Sequence, residues 1–285
     1  GIIMANIQEL EKIASQVRRD IIRMVTSAQS GHPGGSLSCT DIMTALFFKE
    51  MEHSPEQWNR SGKERDIFFL SAGHLAPVFY SVLARSGYFP VKELATLRQF
   101  GSRLQGHPSV EHHLPGVYVA SGSLGQGLSV AAGAALSKRL EKDPHHVWVL
   151  LGDGETEEGQ VWEAALFAAK HQIGNLIAIT DRNHQQIDGT TEQVAELGDL
   201  KSKWEAFGWH VIEADGHNME AILNAFAEAK RAGKEFNKPV MILMNTVMGK
   251  GVDFMEGTCA WHGKAPKPEQ AEQALAQLAE TLGDY

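Results

Sequence analysis

Gly152-Asp153-Gly154, the acids Glu155, Glu157 and Glu158 that follow, and Asn183 in Thr180-Asp181-Arg182-Asn183 are the residues whose types and spacing best suit a charged ligand. Asp153 presents a hard carboxylate oxygen, the donor that magnesium prefers. The flanking glycines let the backbone turn sharply and approach a ligand closely. The stretch reads as a site for a magnesium-bound diphosphate. Two short apolar runs lead into it, Val147–Leu151 and Asn175–Ile179, each of a length that suits a buried strand. If those strands are neighbours in one sheet, Asp153 and Asn183 emerge side by side at their C-terminal ends, where open α/β sheets bind ligands.

Glycine recurs elsewhere, in all but one case beside histidine, in Gly31-His32-Pro33-Gly34-Gly35, Ser71-Ala72-Gly73-His74, Gly106-His107-Pro108, Ser121-Gly122-Ser123-Leu124-Gly125-Gln126-Gly127 and Trp261-His262-Gly263. A Gly-rich turn entering a helix offers N–H donors and the positive end of the dipole to an anion. A tight turn explains Gly122–Gly127 about as well. His32, His74, His107 and His262 stand apart because each adjoins glycine; such imidazoles can donate to phosphate oxygens or move protons near neutral pH. His112, His113, His145, His146 and His171 carry no such signal. The acids Glu155, Glu157 and Glu158 suit a helix N-terminus through the dipole. Glu158 could equally bond a partner across an interface, and the residues alone leave both readings open.

The elements that must hold these loops show in the periodicity. Ile7, Leu10, Ile13, Ala14, Val17, Ile21, Met24 and Val25 predict a helix over about residues 6–29, stopped by Gly31. Ser38 with Asp41 resembles a capping box for a helix over about 39–51. Ile67–Leu70 reads as a strand, Leu75–Arg85 as a helix, Val91–Phe100 as a short helix, Val117–Ala120 as a brief strand and Gln126–Glu141 as a helix. A helix over about 159–171 follows the strand at Val147, and about 184–199 reads as loop. Trp209–Glu213 and Val240–Asn245 read as strands around a helix at Met219–Ala232, and a helix over about 268–282 closes the chain. Continuous apolar strands alternating with helices imply an α/β fold with an open, mostly parallel sheet covered on both faces. Without a composition break, residues 1–285 are expected to form one domain.

The net charge of −9, with no Lys/Arg-rich run, argues against nucleic-acid binding. No apolar stretch approaches the roughly 20 residues that span a bilayer. Glu9, Glu11 and Lys12 interrupt any signal-peptide core, so a cytoplasmic protein without a membrane partner is expected. Two distant cysteines, Cys39 and Cys259, suit a reducing compartment. Cys259-Ala-Trp-His262 has zinc-like spacing, but no second pair completes four ligands.

Taken together, Gly31-His-Pro-Gly34, Ser71-Ala-Gly-His74, Gly106-His-Pro108, Gly122-Ser-Leu-Gly-Gln-Gly127, Gly152-Asp-Gly154 with Asn183, Gly249-Lys-Gly251 and Trp261-His-Gly-Lys-Ala-Pro266 resemble the transketolase family over nearly the whole chain. A full transketolase is much longer. The chain resembles its N-terminal, diphosphate-binding domain, as in the N-terminal subunit of a split transketolase. The resemblance implies a thiamine-diphosphate-binding fold, with thiamine diphosphate and magnesium as cofactors and calcium or manganese as substitutes. It implies that Asp153, Asn183 and the backbone carbonyl of Gln185 hold the metal beside two diphosphate oxygens and a water, an octahedral set. Many family members have an aliphatic residue where Gln185 stands, which a backbone ligand tolerates. Gly154 would donate its N–H to the diphosphate, His74 and His262 would line the cofactor, and Gly122, Ser123 and Leu124 would meet its aminopyrimidine. His32, His107 and His262 would face the donor sugar, with His32 and His262 handling protons and oxyanion charge. Glu158 would join a carboxylate network at a contact between subunits.

The activity so implied is transfer of a two-carbon ketol unit from a ketose phosphate to an aldose phosphate. The alternatives are apulose-phosphate, sulfo-sugar or dihydroxyacetone substrates within the same family; histidines facing a C1 hydroxyl weigh against a deoxyxylulose route. In the family, the glutamate that activates the cofactor sits on a pyrimidine-binding domain. A separate C-terminal subunit is expected to supply it, in an α2β2 assembly, and the chain alone is expected to be inactive. The intact site residues argue against a non-catalytic module.

Overall fold

The strands, in chain order, are Ile67–Leu70 (β1), Val147–Gly152 (β2), Leu176–Arg182 (β3), Gln185–Gln186 (β4), Gly189–Thr190 (β5), His210–Asp215 (β6) and Val240–Asn245 (β7). They belong to a computed structural model that describes residues 6–183, 185–186, 189–190 and 199–285, the two short pieces as backbone only. Five strands form one parallel sheet in the order β1-β2-β3-β7-β6, and β4 pairs antiparallel with β5. The register places Val147 opposite Leu176 and Gly152 opposite Asp181. Asp181 in turn lies opposite Met244.

The helices are Ile7–Ala28 (α1), Pro33–Ser38 (α2), Thr40–Ala45 (α3), Ala76–Ser86 (α4), Gly127–Leu140 (α5), Gly159–Lys170 (α6), Leu200–Ala206 (α7), Met219–Phe236 (α8) and Pro268–Ala276 (α9). They cover both faces of the sheet. Trp148, Leu150, Ile177, Ile179 and Ile242 pack with residues of α1, α3, α4, α8 and α9 in one core. Val147, Val149, Leu151, Ala178, Met241 and Leu243 pack with α5, α6 and Trp204 of α7 in the other. Alternate residues of each strand thus enter opposite cores, which is why the strands read as unbroken apolar runs.

A buried polar clamp joins α1 to the site side of the sheet. Arg18 grips Asp41 with two hydrogen bonds, 3.0 and 2.9 Å long. Asp41 also meets His217 Nδ1 at 3.0 Å, and His217 Nε2 accepts the Val247 N–H at 2.8 Å. Burial opposes the charge on Asp41, but Arg18 and His217 outweigh it and hold the carboxyl down at about 2.

Several elements differ from the sequence expectation. Gln29, in the left-handed region, caps α1 ahead of Gly31. The helix expected at about 39–51 starts earlier, at Pro33, and is broken into α2, α3 and a π-turn over Leu46–Glu50. Ser38 is no helix cap; its hydroxyl donates to the Gly35 carbonyl and to Asp181. Val91–Thr96 is a 3-10 turn, the last helix ends at Ala276, α8 runs on to Phe236, and α7 has no counterpart in the sequence expectation. Val117–Ala120 forms no strand; Tyr118 packs on Trp58 and Phe69, while the following Ser121 N–H bonds the Pro108 carbonyl in the neighbouring loop. Of the expected loop at about 184–199, part lies outside the described residues and part forms the β4–β5 pair. No helix among the described residues is long and apolar enough to cross a membrane.

Candidate functional site

Because β2 and β3 are hydrogen-bonded neighbours, Asp153 and Asn183 leave the sheet side by side. Asp153 opens a 3-10 turn, Gly154–Glu157, and its Oδ1 accepts the Gly154 N–H at 2.8 Å. Its side chain is nearly enclosed, at 4% exposure. Asn183 is oriented by Asp181, a residue that the sequence pattern does not single out. Asn183 Nδ2 donates to Asp181 Oδ2 at 3.2 Å, and Asp181 also accepts the Ser38 hydroxyl at 2.5 Å and the Thr246 hydroxyl at 2.6 Å. Asp181 is 1% exposed, and burial pushes its carboxyl up despite these donors. Its only signal in the sequence is a carboxylate at the end of an apolar run, two residues before Asn183.

Three of the singled-out histidines form a triangle over this pair. Ring centroids of His32 and His74 are 5.6 Å apart, His32 and His262 5.8 Å, and His74 and His262 5.3 Å. Burial first, then the charges of His262, Arg98 and His107, pushes the His32 imidazole down to about 4. Burial, then the other histidines, pushes His74 down to about 3. Burial also lowers His107 and His262, with Arg98 adding to the effect on His107. All four are therefore neutral at pH 7, each with one nitrogen to donate and one to accept. His262 Nδ1 is buried with no hydrogen-bond partner among the described residues.

The depressed values have a consequence for stability. On unfolding, His32 and His74 return to an ordinary value near 6.5 and take up protons that the folded chain refuses until about 4 and about 3. Stability is full above 6.5 and is lost progressively as pH falls from there towards those folded values. The urea midpoint is expected to drop between pH 7.5 and pH 5, and replacing both rings with Asn is expected to flatten that drop. An unchanged slope in the double variant would contradict the assignment.

The glycine loop is tied to the strand ends by Glu155, which is 3% exposed. Its Oε2 accepts the Ser71 hydroxyl in a short hydrogen bond and the Gly125 N–H at 2.8 Å, while Oε1 lies 3.2 Å from the Gly152 N–H. Burial raises its carboxyl and the three donors oppose that. Close approach completes the cradle: a Cβ on Gly73 would lie 2.6 Å from the Gly122 nitrogen. Gly122 itself is left-handed, at φ 139. In the sequence Glu155 reads as a helix-dipole acid, and this tying role does not show. Glu155→Gln turns one acceptor into an amide that faces a donor. It is expected to destabilise the fold by about 1–3 kcal/mol, read as a lower urea midpoint at constant slope.

These groups surround a cleft of about 450 Å³ lined by His32, His74, His107, His262, Gly122, Leu124, Asp153, Gly154, Glu158 and Asn183, with Glu155, Glu157 and Asp181 among the rest. Ser123 lies in the same loop, exposed, and is not part of the lining. Of Gln185 the structure describes only backbone, paired with Thr190. Five carboxylates and no Lys or Arg line the cleft among the described residues. A bare diphosphate would be repelled there, whereas one carried on a divalent cation would not. No group of three or more His, Cys, Asp or Glu able to hold a metal exists among the described residues, the Cys259 segment included. The oxygens of Asp153 and Asn183 fit magnesium, which takes one or two protein oxygens and fills its shell with phosphate and water. The unpartnered His262 nitrogen, the glycine cradle and the acid lining thus fit a magnesium-bound diphosphate cofactor.

A parallel sheet carrying such a cleft at its C-terminal edge is the fold of thiamine-diphosphate-binding proteins. Residues 10–283 match the family described as transketolase, thiamine diphosphate binding domain. The chain is 42% identical to the 6-deoxy-6-sulfo-D-fructose transketolase subunit of Clostridium sp. (strain MSTE9), over 95% of this chain and 96% of that one. It is 39% identical to one subunit of the apulose-4-phosphate transketolase of Phocaeicola vulgatus, over 97% of this chain and 96% of that one. The solved transketolase of Campylobacter jejuni superposes with a TM-score of 0.88 at 33% identity, covering 96% of this chain but 43% of that one. The chain belongs to the transketolase family and corresponds to its thiamine diphosphate binding domain.

Proposed function

We propose that the chain is the diphosphate-binding subunit of a two-chain ketol transferase, moving a two-carbon unit from a ketose phosphate to an aldose phosphate with thiamine diphosphate and magnesium. The observation that carries this reading is the pairing of Asp153 and Asn183 at adjacent strand ends, beneath the neutral histidines, in a cleft lined by acids. Asp153, the Asn183 amide oxygen and the Gln185 carbonyl hold the magnesium. The Gly154 N–H meets the diphosphate, His74 and His262 flank the cofactor, and the Gly122–Leu124 loop faces its pyrimidine. When bound, the thiazolium ring supplies an electron sink that lets the two-carbon unit be carried between sugars. His32 and His262, neutral at pH 7, can donate to a sugar carbonyl oxygen as charge develops there and hold or return its proton. His107, exposed at the rim, faces the donor's hydroxyls. Glu158 is exposed beside the cleft, where a second chain could meet it.

A separate C-terminal subunit completes the site in an α2β2 assembly. Support comes from the two relatives named as subunits, which this chain covers almost end to end. Those relatives also favour a second reading of the substrate, in which the ketose is a sulfo-sugar or apulose phosphate. The assembled enzyme assayed with xylulose 5-phosphate, 6-deoxy-6-sulfofructose and apulose 4-phosphate separates the readings by kcat/KM. Turnover of none of the three would overturn ketol transfer. His107→Ala is expected to raise KM for the ketose by about tenfold, the value of one charge-free hydrogen bond, while cofactor affinity stays put. Equal losses in both would contradict a sugar-facing role.

A further inference from the structure

His217 sits where the buried clamp of α1 and α3 meets the end of β7. It lies in the turn between β6 and α8, and its backbone N–H donates to Asp215 Oδ1 at 2.9 Å. The turn is pressed onto the end of β7. A Cβ on Gly216 would come within 2.5 Å of Thr246 Cγ2, and the Gly216 N–H bonds the Asn245 carbonyl at 2.8 Å. His217 Nε2 accepts the Val247 N–H, so the ring proton is on Nδ1, which donates to Asp41. That single tautomer links the carboxylate gripped by Arg18 to the backbone just past β7. The side chains of His217 and Asp41 are only 13% and 11% exposed, so water competes poorly for the bond between them.

Thr246 stands between this anchor and the site. Its N–H bonds the Arg182 carbonyl at 3.2 Å, next to Asn183, and its hydroxyl donates to Asp181 at 2.6 Å. Asp181 in turn accepts the Asn183 amide. We propose that His217 is a positioning residue for Asn183. It pins Val247, which sets Thr246, which orients Asp181 and through it the amide whose oxygen meets the metal. The inference rests on the magnesium-diphosphate part of the reading above and extends it to a residue outside the lining of the cleft.

The test is calorimetry of thiamine diphosphate with magnesium on the assembled two-chain enzyme, with urea midpoints measured alongside. His217→Gln can place its side-chain oxygen where Nε2 stands and keep the Val247 bond. His217→Asn can keep the donor to Asp41 but is too short to reach Val247. His217→Asn is expected to weaken magnesium-dependent affinity by about fivefold to tenfold, at or below the low end for groups directly behind a ligand, and His217→Gln to recover most of that loss. In a Thr246→Val background, His217→Asn is expected to add no further loss of affinity, because the path to Asp181 is already cut. Unchanged affinity in His217→Asn whatever its stability, equal losses in His217→Asn and His217→Gln, or additive losses with Thr246→Val would each overturn the proposal while leaving the ketol-transfer reading standing. Absence of magnesium-dependent binding by the unaltered enzyme would overturn both.

Discussion

Asp153→Ala is expected to abolish magnesium-dependent binding of thiamine diphosphate by the assembled enzyme, a loss on the order of a hundredfold or more in affinity. Asp153 is the carboxylate at the end of β2, and the acid lining of the cleft needs a cation before a diphosphate can settle. Asp153 Oδ1 accepts a local hydrogen bond from Gly154, whose removal costs about 1 kcal/mol. Calorimetry with magnesium and with EDTA reads the effect. The unaltered enzyme should lose affinity when EDTA is added, and the variant should bind weakly in both conditions. Unchanged affinity in the variant would refute the metal role.

Asp181→Ala is expected to cost about 3 kcal/mol of stability and to weaken cofactor binding as well. Burial already opposes the charged form of Asp181, so the cost is set by the donors it leaves behind: the Ser38 and Thr246 hydroxyls and the Asn183 amide. The hydroxyls can rotate towards other acceptors, as Ser38 already does towards the Gly35 carbonyl, which keeps the cost near the lower end for three donors. Asn183 has less freedom, and losing its anchor spoils the orientation of its oxygen beside Asp153. Asp181→Asn keeps the shape and one acceptor, and it should recover part of both losses. A variant that loses stability with no change in magnesium-dependent affinity would show that Asp181 supports the core and does not orient Asn183.

The central strands were legible because both faces of β1, β2, β3 and β7 are buried, which leaves an unbroken apolar signal. Val117–Ala120 carried the same signal without being a strand, because Tyr118 fills space against Phe69 and Trp58 while the adjoining backbone bonds a loop. The start of α2 was hidden by Gly34 and Gly35, which look like turn residues. They are there because a Cβ at either would come within about 3 Å of Met248 or Leu75. Pro33 at the first turn was the available clue.

In the site, the residues that point outward from strand ends were readable as types: Asp153, Asn183 and the glycine-flanked histidines. The residues that hold them were not. Asp181 and Glu155 are common acids whose importance lies in contacts across 143 and 84 positions of sequence, to Ser38 and Ser71.

The dependence of one chain on another is the most direct test of function. The purified chain, with thiamine diphosphate and magnesium, is to be assayed for consumption of xylulose 5-phosphate in the presence of ribose 5-phosphate, alone and then with the C-terminal transketolase subunit from the same source. No turnover alone and turnover on mixing is the expected result. Turnover by the chain alone, or none by the mixture with any ketose of the donor panel, would contradict the proposal that this cleft is half of a ketol-transferase site.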